Sequence, residues 1–190
     1  APDKRIGVAL GAGGANGLAH FEMLEVLETM GLRPHQIAGS SIGAVIGAMF
    51  ASGMSAADMR QLANKAFAAE GDGLMHNLIS EQATQWLEFV ELEVGSGGLL
   101  DSQRILSHFY DSISASDFND LEIRLDVVAG DLWKQEQVVL NEGALLPAVQ
   151  ASMAAIGAFP PVKIDDRDLT DGYLRAMVPV DAARGMGADR

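Results

Sequence analysis

The sequence has no cysteine and only four histidines in 190 residues. The lack of cysteine excludes disulfide bonds, thiolate nucleophiles, and zinc or iron–sulfur sites with cysteine ligands. The histidines form no familiar metal motif either, because no two of them stand four positions apart as helical ligand pairs do. If the protein is an enzyme, its chemistry must come from serine, carboxylate, histidine or backbone groups.

Positive charge is also scarce: 13 Lys and Arg residues stand against 26 Asp and Glu residues, so the formal net charge is −13. A surface this acidic repels nucleic-acid phosphates and anionic bilayers, so we expect no nucleic-acid partner. No apolar run approaches the roughly 20 residues that span a bilayer, and no signal-peptide pattern opens the chain. These absences favour a cytoplasmic location.

The residues that are present have the composition of an ordinary globular domain, and the length predicts one domain over residues 1–190. A short apolar strand at 5–10 is followed by an amphipathic helix at 17–30. A second strand at 36–39 is followed by a buried helix at 42–50. This alternation predicts a parallel β–α–β unit and therefore an α/β fold.

The rest of the chain continues the alternation of helices and strands. We predict a helix at 55–69, a strand pair at 123–129 and 137–140, a helix at 144–155, a strand at 162–164, a turn at 165–168 and a last helix from 179. Residues 70–100 lie between two glycine-rich joints, and we expect them to form an inserted flap.

A glycine-rich loop joins the first strand to the first helix: Gly11-Ala12-Gly13-Gly14-Ala15-Asn16-Gly17. Glycines let several backbone N–H groups turn toward one point, and the helix N-terminus adds positive potential, so the loop suits an anion. A dinucleotide site is disfavoured because Asn16 occupies the third glycine position. A nucleotide phosphate loop is disfavoured because no Gly-Lys-Ser/Thr is present.

A serine motif follows the second strand: Gly39-Ser40-Ser41-Ile42-Gly43. A G-x-S-x-G sequence between a strand and a helix predicts a sharp turn that lifts the central hydroxyl, here that of Ser41, above the sheet as a nucleophile. The flanking glycines Gly39 and Gly43 would permit the close backbone approach that such a turn needs. The alternative is an ordinary packing turn of small residues, because the pattern also occurs by chance in glycine-rich chains.

Chain order disfavours a histidine base for Ser41, because α/β-hydrolases place the histidine last and no histidine follows His108. His20 lies on the first helix, where we expect it to pack. A carboxylate that acts directly on the serine remains, and the candidate is Asp171, which precedes Gly172. The alternative for this segment is a simple Asp-Gly turn.

Together these segments resemble the patatin-like phospholipase family, and the resemblance covers nearly the whole chain. Matches occur in the family's order at the glycine loop, at the serine motif and at four later segments. The later segments are Val127-Val128-Ala129-Gly130-Asp131-Leu132, Ala151-Ser152-Met153, Phe159-Pro160-Pro161-Val162 and Leu169-Thr170-Asp171-Gly172. The ordered set is far more specific than any one of its members.

The resemblance implies a three-layer α/β/α sandwich with a mainly parallel central sheet. It also implies a catalytic dyad in which Ser41 attacks an ester carbonyl and Asp171 accepts its proton. The implied substrates are phospholipids, lysophospholipids or simple acyl esters, and neither a metal nor a cofactor is required. The implied oxyanion hole consists of backbone N–H groups in the glycine loop, at Gly13, Gly14 and Ala15.

Several positions depart from the family pattern, among them Ile156-Gly157 in place of a Pro-Gly that usually precedes the Phe-Pro-Pro stretch. Asn16 replaces a basic residue of the glycine loop, and Tyr173 replaces a glycine or alanine after the Asp-Gly pair. Ala176 and Met177 replace a downstream Asn and Pro. Family members usually continue beyond residues 187–189 into another strand, so the resemblance also predicts a chain trimmed at its C-terminus.

The leading interpretation is therefore a lipid acyl hydrolase, and two alternatives share its fold. One is a catalytically weak lipid-binding or interaction protein, and the other is a serine acyltransferase in which an alcohol intercepts the acyl-enzyme. Because the net charge is −13, we expect any membrane contact to use apolar surface rather than basic patches. Apolar residues of the flap are candidates to line or cover an acyl groove: Leu74, Leu78, Trp86, Phe89 and Leu92.

Overall fold

The computed structural model describes residues 5–69, 107–157 and 159–189. The predicted flap at 70–100, its apolar residues and residues 101–106 of the following segment lie outside the described residues. The described strands are β1 (Gly7–Leu10), β2 (Gln36–Ser40), β3 (Arg124–Asp131), β4 (Gln137–Leu140), β5 (Val162–Ile164) and β6 (Arg167–Asp171). The main described α-helices are α1 (Ala19–Thr29), α2 (Ile42–Ala51), α3 (Ala56–Ala69), α4 (Leu145–Ser152) and α5 (Val180–Gly185). All of these helices are too short or too polar to traverse a bilayer.

The strands form one sheet in the order β1-β2-β3-β6-β5, and β4 also pairs with β3. β1 and β2 run parallel, as the alternation of strands and helices at the start of the chain predicted, and β3 runs parallel to β2. β4 is antiparallel to β3, which confirms the predicted strand pair. β6 is antiparallel to both β3 and β5. The described sheet therefore joins a parallel part to an antiparallel part at β3.

Helices cover both faces of this sheet, because successive strand residues point to opposite sides. Ile37 and Val127 pack into the larger apolar cluster, together with buried residues of α1, α2 and α3. Their neighbours Ala38 and Val128 pack on the opposite face, against residues of the α5 segment. The α5 segment contributes Ala182, Ala183 and Met186 to this second cluster. The three layers predicted from the family resemblance are thus present.

Helix α2 is the central element of the core, since all ten of its residues are buried. Its small residues let it approach the strands very closely. A Cβ atom added to Gly43 would lie 2.2 Å from the carbonyl oxygen of Leu10 at the end of β1. This contact fixes the start of α2, and hence the preceding Ser41, at the carboxyl edge of the parallel strands.

Strands β2 and β6 meet end to end along one edge of β3. Val128 pairs with β2 on one side and with β4 on the other, so β2 and β4 lie on opposite edges. Ala129 pairs with both β4 and β6, so β6 shares the edge of β2. The last residue of β2, Ser40, therefore stands beside Val128, and the last residue of β6, Asp171, beside Ala129. The carboxyl ends of the two strands face each other.

Two local features differ from the sequence-based expectations. The helix predicted from residue 17 is preceded by a 3₁₀ turn over Gly14–Leu18, and α1 proper begins at Ala19. Asp171 ends a strand rather than lying in an isolated turn. Only one of the five residues in β6, Leu169, is apolar, so the local pattern was too polar to predict a strand. Pairing with β3 and β5 imposes the extended conformation.

We expect Gly43→Ala to lower the free energy of unfolding by about 3 kcal/mol, because the new methyl group would collide with backbone rather than with a side chain that can move. Gly185→Ala is the matched control, since a Cβ at that helical glycine meets no atom within 4 Å. We expect it to raise stability by up to about 1 kcal/mol. Urea unfolding measures both changes, and equal stability of the two variants would contradict the close packing of α2 on β1.

Candidate active site

Ser41 occupies a sharp turn between β2 and α2 and has a backbone conformation that L-residues rarely adopt. Its φ is 55° and its ψ is −127°. A Cβ atom on Gly39 would lie 2.5 Å from the carbonyl oxygen of Gly43, so the chain folds back on itself within the motif. Strain of this kind costs on the order of 1–3 kcal/mol and persists only where the surrounding structure enforces it. The G-x-S-x-G spacing therefore has a steric reason here.

The Ser41 hydroxyl donates a hydrogen bond to Asp171, with 2.8 Å between Oγ and Oδ2. Both residues are buried, at 8% and 7% exposure, and they lie 130 positions apart in sequence. The end-to-end arrangement of β2 and β6 brings them together. The hydroxyl oxygen also lies 3.6 Å from the sulfur of Met153. The two residues predicted as a dyad are thus in direct contact, with no histidine between them.

The Asp171 carboxylate is held in place by backbone groups. Its Oδ1 accepts a hydrogen bond from the N–H of Tyr173 at 2.8 Å, and its own N–H donates to the carbonyl of Ala154 at 2.9 Å. Burial raises the pKa of Asp171 above its ordinary value, while the hydrogen bonds from Tyr173 and Ser41 oppose that rise. The ionised carboxylate is therefore a stronger base than an exposed aspartate.

Tyr110 belongs to the electrostatic surroundings of this carboxylate. It lies on a short helical stretch at 107–111. Burial raises the pKa of Tyr110 above its ordinary value, and the negative charge of Asp171 raises it further. Sequence reasoning missed this residue, because no local motif links residue 110 to either member of the dyad.

The second half of the glycine loop forms the 3₁₀ turn Gly14–Leu18, which lies beside the serine turn. The first hydrogen bond of the turn runs from the N–H of Asn16 to the carbonyl of Gly13 at 3.0 Å. The N–H groups of Gly14 and Ala15 therefore precede the helical hydrogen-bond ladder, as the predicted oxyanion donors must. Gly14 adopts a φ of 50°, a conformation in which glycine is favoured.

Contacts on both flanks hold this loop against the serine turn. A Cβ on Gly17 would lie 2.3 Å from Cγ2 of Ile42, the residue that follows Ser41. His20 makes a hydrogen bond through Nε2 to the carbonyl of Gly11 at 2.9 Å, which agrees with the structural role expected for it. The positive end of the α2 dipole also points toward the serine. Loop and helix together create an electropositive backbone environment at the nucleophile.

The departures from the family pattern at 173, 176 and 177 contact this region through their backbones. The Tyr173 ring is about half exposed, and its N–H is the group that binds Asp171. The Ala176 N–H donates to the Gly172 carbonyl at 2.8 Å. The Met177 carbonyl accepts a hydrogen bond from the N–H of Ala12 at 2.7 Å, which supports the glycine loop. Their side chains are therefore not needed for these interactions.

Two serines of the matched motifs are buried beside the dyad and differ in their bonding. Ser152 Oγ accepts a hydrogen bond from the N–H of Ser41 at 2.9 Å. Ser40 Oγ is buried and makes no hydrogen bond in the described structure. In the same described ranges, no three His, Asp or Glu side chains gather as a metal site would require.

Comparison with known proteins gives one family match that covers most of the chain. The family model described as patatin-like phospholipase matches residues 8–184. An NTE family protein of Mycobacterium tuberculosis is 31% identical over 185 residues, which are 97% of this chain and 47% of that protein. A lysophospholipase of Aspergillus fumigatus is 25% identical over 186 residues, which are 98% of this chain and 11% of that protein. The chain thus spans about half the length of the mycobacterial relative and a much smaller part of the fungal one.

Two solved bacterial proteins share the fold of this chain. VipD of Legionella pneumophila aligns with a TM-score of 0.53 and 16% identity, over 90% of this chain and 46% of that chain. ExoU of Pseudomonas aeruginosa, solved in complex with SpcU, aligns with a TM-score of 0.51 and 17% identity, over 83% of this chain and 39% of that chain. At these identities the likeness concerns the fold alone.

We expect Asp171→Asn to be more stable than the wild type at neutral pH, because it removes a buried charge and keeps a side chain that accepts the Tyr173 hydrogen bond. A carboxyl group whose pKa is raised on folding stabilises the native state below its ordinary pKa. That stabilisation is lost as the pH rises through the raised pKa. The advantage of the variant should therefore shrink as the pH falls.

Urea unfolding at a series of pH values measures this difference. Asp166→Asn is the matched control, because Asp166 is an exposed carboxylate in the turn between β5 and β6, so the same substitution there removes no buried charge. A constant difference between Asp171→Asn and the wild type from acid to neutral pH would contradict the proposed cost of the buried charge.

Proposed function

This chain belongs to the patatin-like phospholipase family, and we propose that it is a serine lipid acyl hydrolase of the phospholipase A, lysophospholipase or esterase type. The observation that carries this proposal is the 2.8 Å hydrogen bond from the Ser41 hydroxyl to the buried Asp171 carboxylate. A hydroxyl in a strained turn that bonds directly to a carboxylate of raised pKa is an arrangement suited to nucleophilic attack. The relative named as a lysophospholipase supports a lipid ester as substrate.

In the first half-reaction, Ser41 Oγ attacks the acyl carbonyl carbon while its proton passes to Asp171 Oδ2. The tetrahedral intermediate then collapses, the bond to the leaving alkoxide breaks, and Asp171 returns the proton to that oxygen. The products are a free alcohol, such as a lysolipid or glycerol derivative, and an acyl ester on Ser41. Asp171 ends this step ionised, as it began.

In the second half-reaction, Asp171 accepts a proton from water as the water oxygen attacks the acyl ester. Collapse of this intermediate releases a carboxylic acid and restores the Ser41 hydroxyl with the proton from Asp171. The proposed donors for the oxyanion in both steps are backbone N–H groups of the glycine loop, at Gly13, Gly14 and Ala15. Fixed donors aimed at the developing charge typically supply a large part of the rate acceleration.

Apolar side chains near the site are consistent with a lipid substrate. Leu174, Met177 and Val178 are each about half exposed and follow Asp171 closely in the chain. The segment adjoins the glycine loop through the bond from Ala12 to Met177. Because the net charge is −13 and Arg175 is the one basic residue of this segment, we propose that acyl chains, and any membrane surface that carries them, meet its apolar side chains rather than a basic patch.

We expect Ser41→Ala to abolish labelling by a fluorophosphonate and turnover of a short p-nitrophenyl ester, because the attacking oxygen is removed. Asp171→Asn should lower kcat by about 10³-fold through loss of the base. Ser40→Ala is the matched control, since it deletes the neighbouring buried hydroxyl, which has no hydrogen bond, and should leave both activities at the wild-type level. Gel fluorescence and absorbance assays measure the series.

The same assays separate the alternatives. Absence of labelling in the wild type, together with retained binding to phosphatidylcholine vesicles, would replace the hydrolase with a lipid-binding protein. Turnover that requires an added alcohol would favour an acyltransferase. Labelling that survives in Ser41→Ala would contradict the assignment of the nucleophile.

We expect kcat/KM for the p-nitrophenyl ester to rise with pH through the pKa of Asp171, because only the ionised carboxylate accepts the serine proton. The midpoint of this acid limb should lie above the ordinary aspartate value of 3.8, as burial raises the pKa. The residual activity of Asp171→Asn should lack the limb. A wild-type midpoint at or below the ordinary value would contradict a buried base.

A further inference from the structure

A three-residue segment at the end of α4 contacts both members of the dyad. Ser152 accepts the N–H of Ser41, and Met153 places its sulfur 3.6 Å from the Ser41 hydroxyl oxygen. The carbonyl of Ala154 accepts the N–H of Asp171 at 2.9 Å. One segment thus holds both the nucleophile and the base in place, although they belong to different parts of the sheet.

Ser152 makes the most constrained of these contacts. Its hydroxyl donates to the carbonyl of Val128 at 2.6 Å while its oxygen accepts the N–H of Ser41 at 2.9 Å. The residue is fully buried, so water does not supply a substitute partner. Val128 itself pairs with Ser40 in the β3–β2 ladder. The hydroxyl therefore connects the serine turn to the centre of the sheet, and it does so by acting as donor and as acceptor at once.

We propose that Ser152 is a positioning residue for the Ser41 nucleophile, an inference that rests on the proposed hydrolase function. The Ser41 peptide is held in a strained conformation, and its buried N–H requires an acceptor in that conformation. Without the Ser152 hydroxyl, rotation of the peptide toward another acceptor lowers its free energy. Such a rotation moves Oγ away from Asp171, and misplacement by about 1 Å costs on the order of 10²-fold in rate.

The same bond determines which groups are left to bind the oxyanion. A nucleophile's own N–H is one of the donors that serine hydrolases use for this purpose. Here the Ser41 N–H points to Ser152 in the interior and is occupied. Oxyanion stabilisation consequently passes to other N–H groups, in keeping with the role proposed for the glycine loop.

Three substitutions separate the hydrogen bond from side-chain packing. Ser152→Ala removes the hydroxyl, Ser152→Cys keeps nearly the same volume with a much weaker acceptor, and Ser152→Thr keeps the hydroxyl. Per folded molecule, we expect fluorophosphonate labelling and kcat to fall about 10²-fold in the alanine variant and by less in the cysteine variant. The threonine variant should recover most of the rate, and KM for a short ester should change little throughout.

Ser52→Ala is the control for loss of a hydroxyl-to-carbonyl bond away from the site, since Ser52 bonds to the Met49 carbonyl at the end of α2. It should leave the rate unchanged. Wild-type rates per folded molecule in both Ser152→Ala and Ser152→Cys would overturn the proposal. If the extra methyl group of threonine does not fit, the rate of the cysteine variant still distinguishes loss of the hydrogen bond from loss of side-chain volume.

Hydrogen exchange of the Ser41 amide gives a readout that does not depend on activity. We expect this amide to exchange slowly in the wild type and at least about tenfold faster in Ser152→Ala, while average protection of β2 and β3 is retained. Unchanged protection of Ser41 would overturn the proposal. If the wild type does not react with fluorophosphonate but the Ser41 amide still depends on the Ser152 hydroxyl, the hydrolase function fails while the structural role stands.

Discussion

The site depends on two strands that end opposite each other on one edge of β3. β2 arrives parallel to β3 and β6 arrives antiparallel, so their carboxyl ends converge at Val128 and Ala129. The residue after β2 is Ser41, and the last residue of β6 is Asp171. A sheet that was parallel throughout would send both strand ends the same way and would not bring these residues face to face. The change of strand direction at β3 therefore underlies the dyad.

Packing around the serine turn offsets the cost of its strained backbone. Helix α2 is buried along its whole length. Its Gly43 permits close approach to the end of β1, and Gly39 of β2 permits close approach to the first turn of α2. The glycine loop packs on Ile42 from the other side. A further cost comes from Asp171, whose charge is buried and whose pKa is raised. Sites of this kind hold unfavourable conformations and charges because the rest of the core leaves no alternative.

The immediate surroundings of the dyad are built mainly from backbone groups. Asp171 is bound by the N–H of Tyr173 and the carbonyl of Ala154, and the glycine loop by the carbonyl of Met177. These contacts place few demands on side chains, which explains how this chain can differ from the family pattern at 173 and 177 and keep the geometry. Ser152 differs from these groups, because it contributes a side-chain hydroxyl that donates to one backbone group and accepts from another.

Local patterns were sufficient for the strand–helix alternation, for the steric meaning of G-x-S-x-G, and for Ser41 as the candidate nucleophile. The order of histidines in the chain then directed attention to Asp171, although β6 was too polar to be recognised as a strand. Ser152 lies in a segment that matches the family, but no local pattern indicated its contact with Ser41, and Tyr110 had no local signal. Ser152 reaches Ser41 across 111 residues and Asp171 does so across 130. Only tertiary structure decided these contacts, because they follow from which strands share an edge of β3 and where each strand ends, and neither is encoded in the spacing of neighbouring residues.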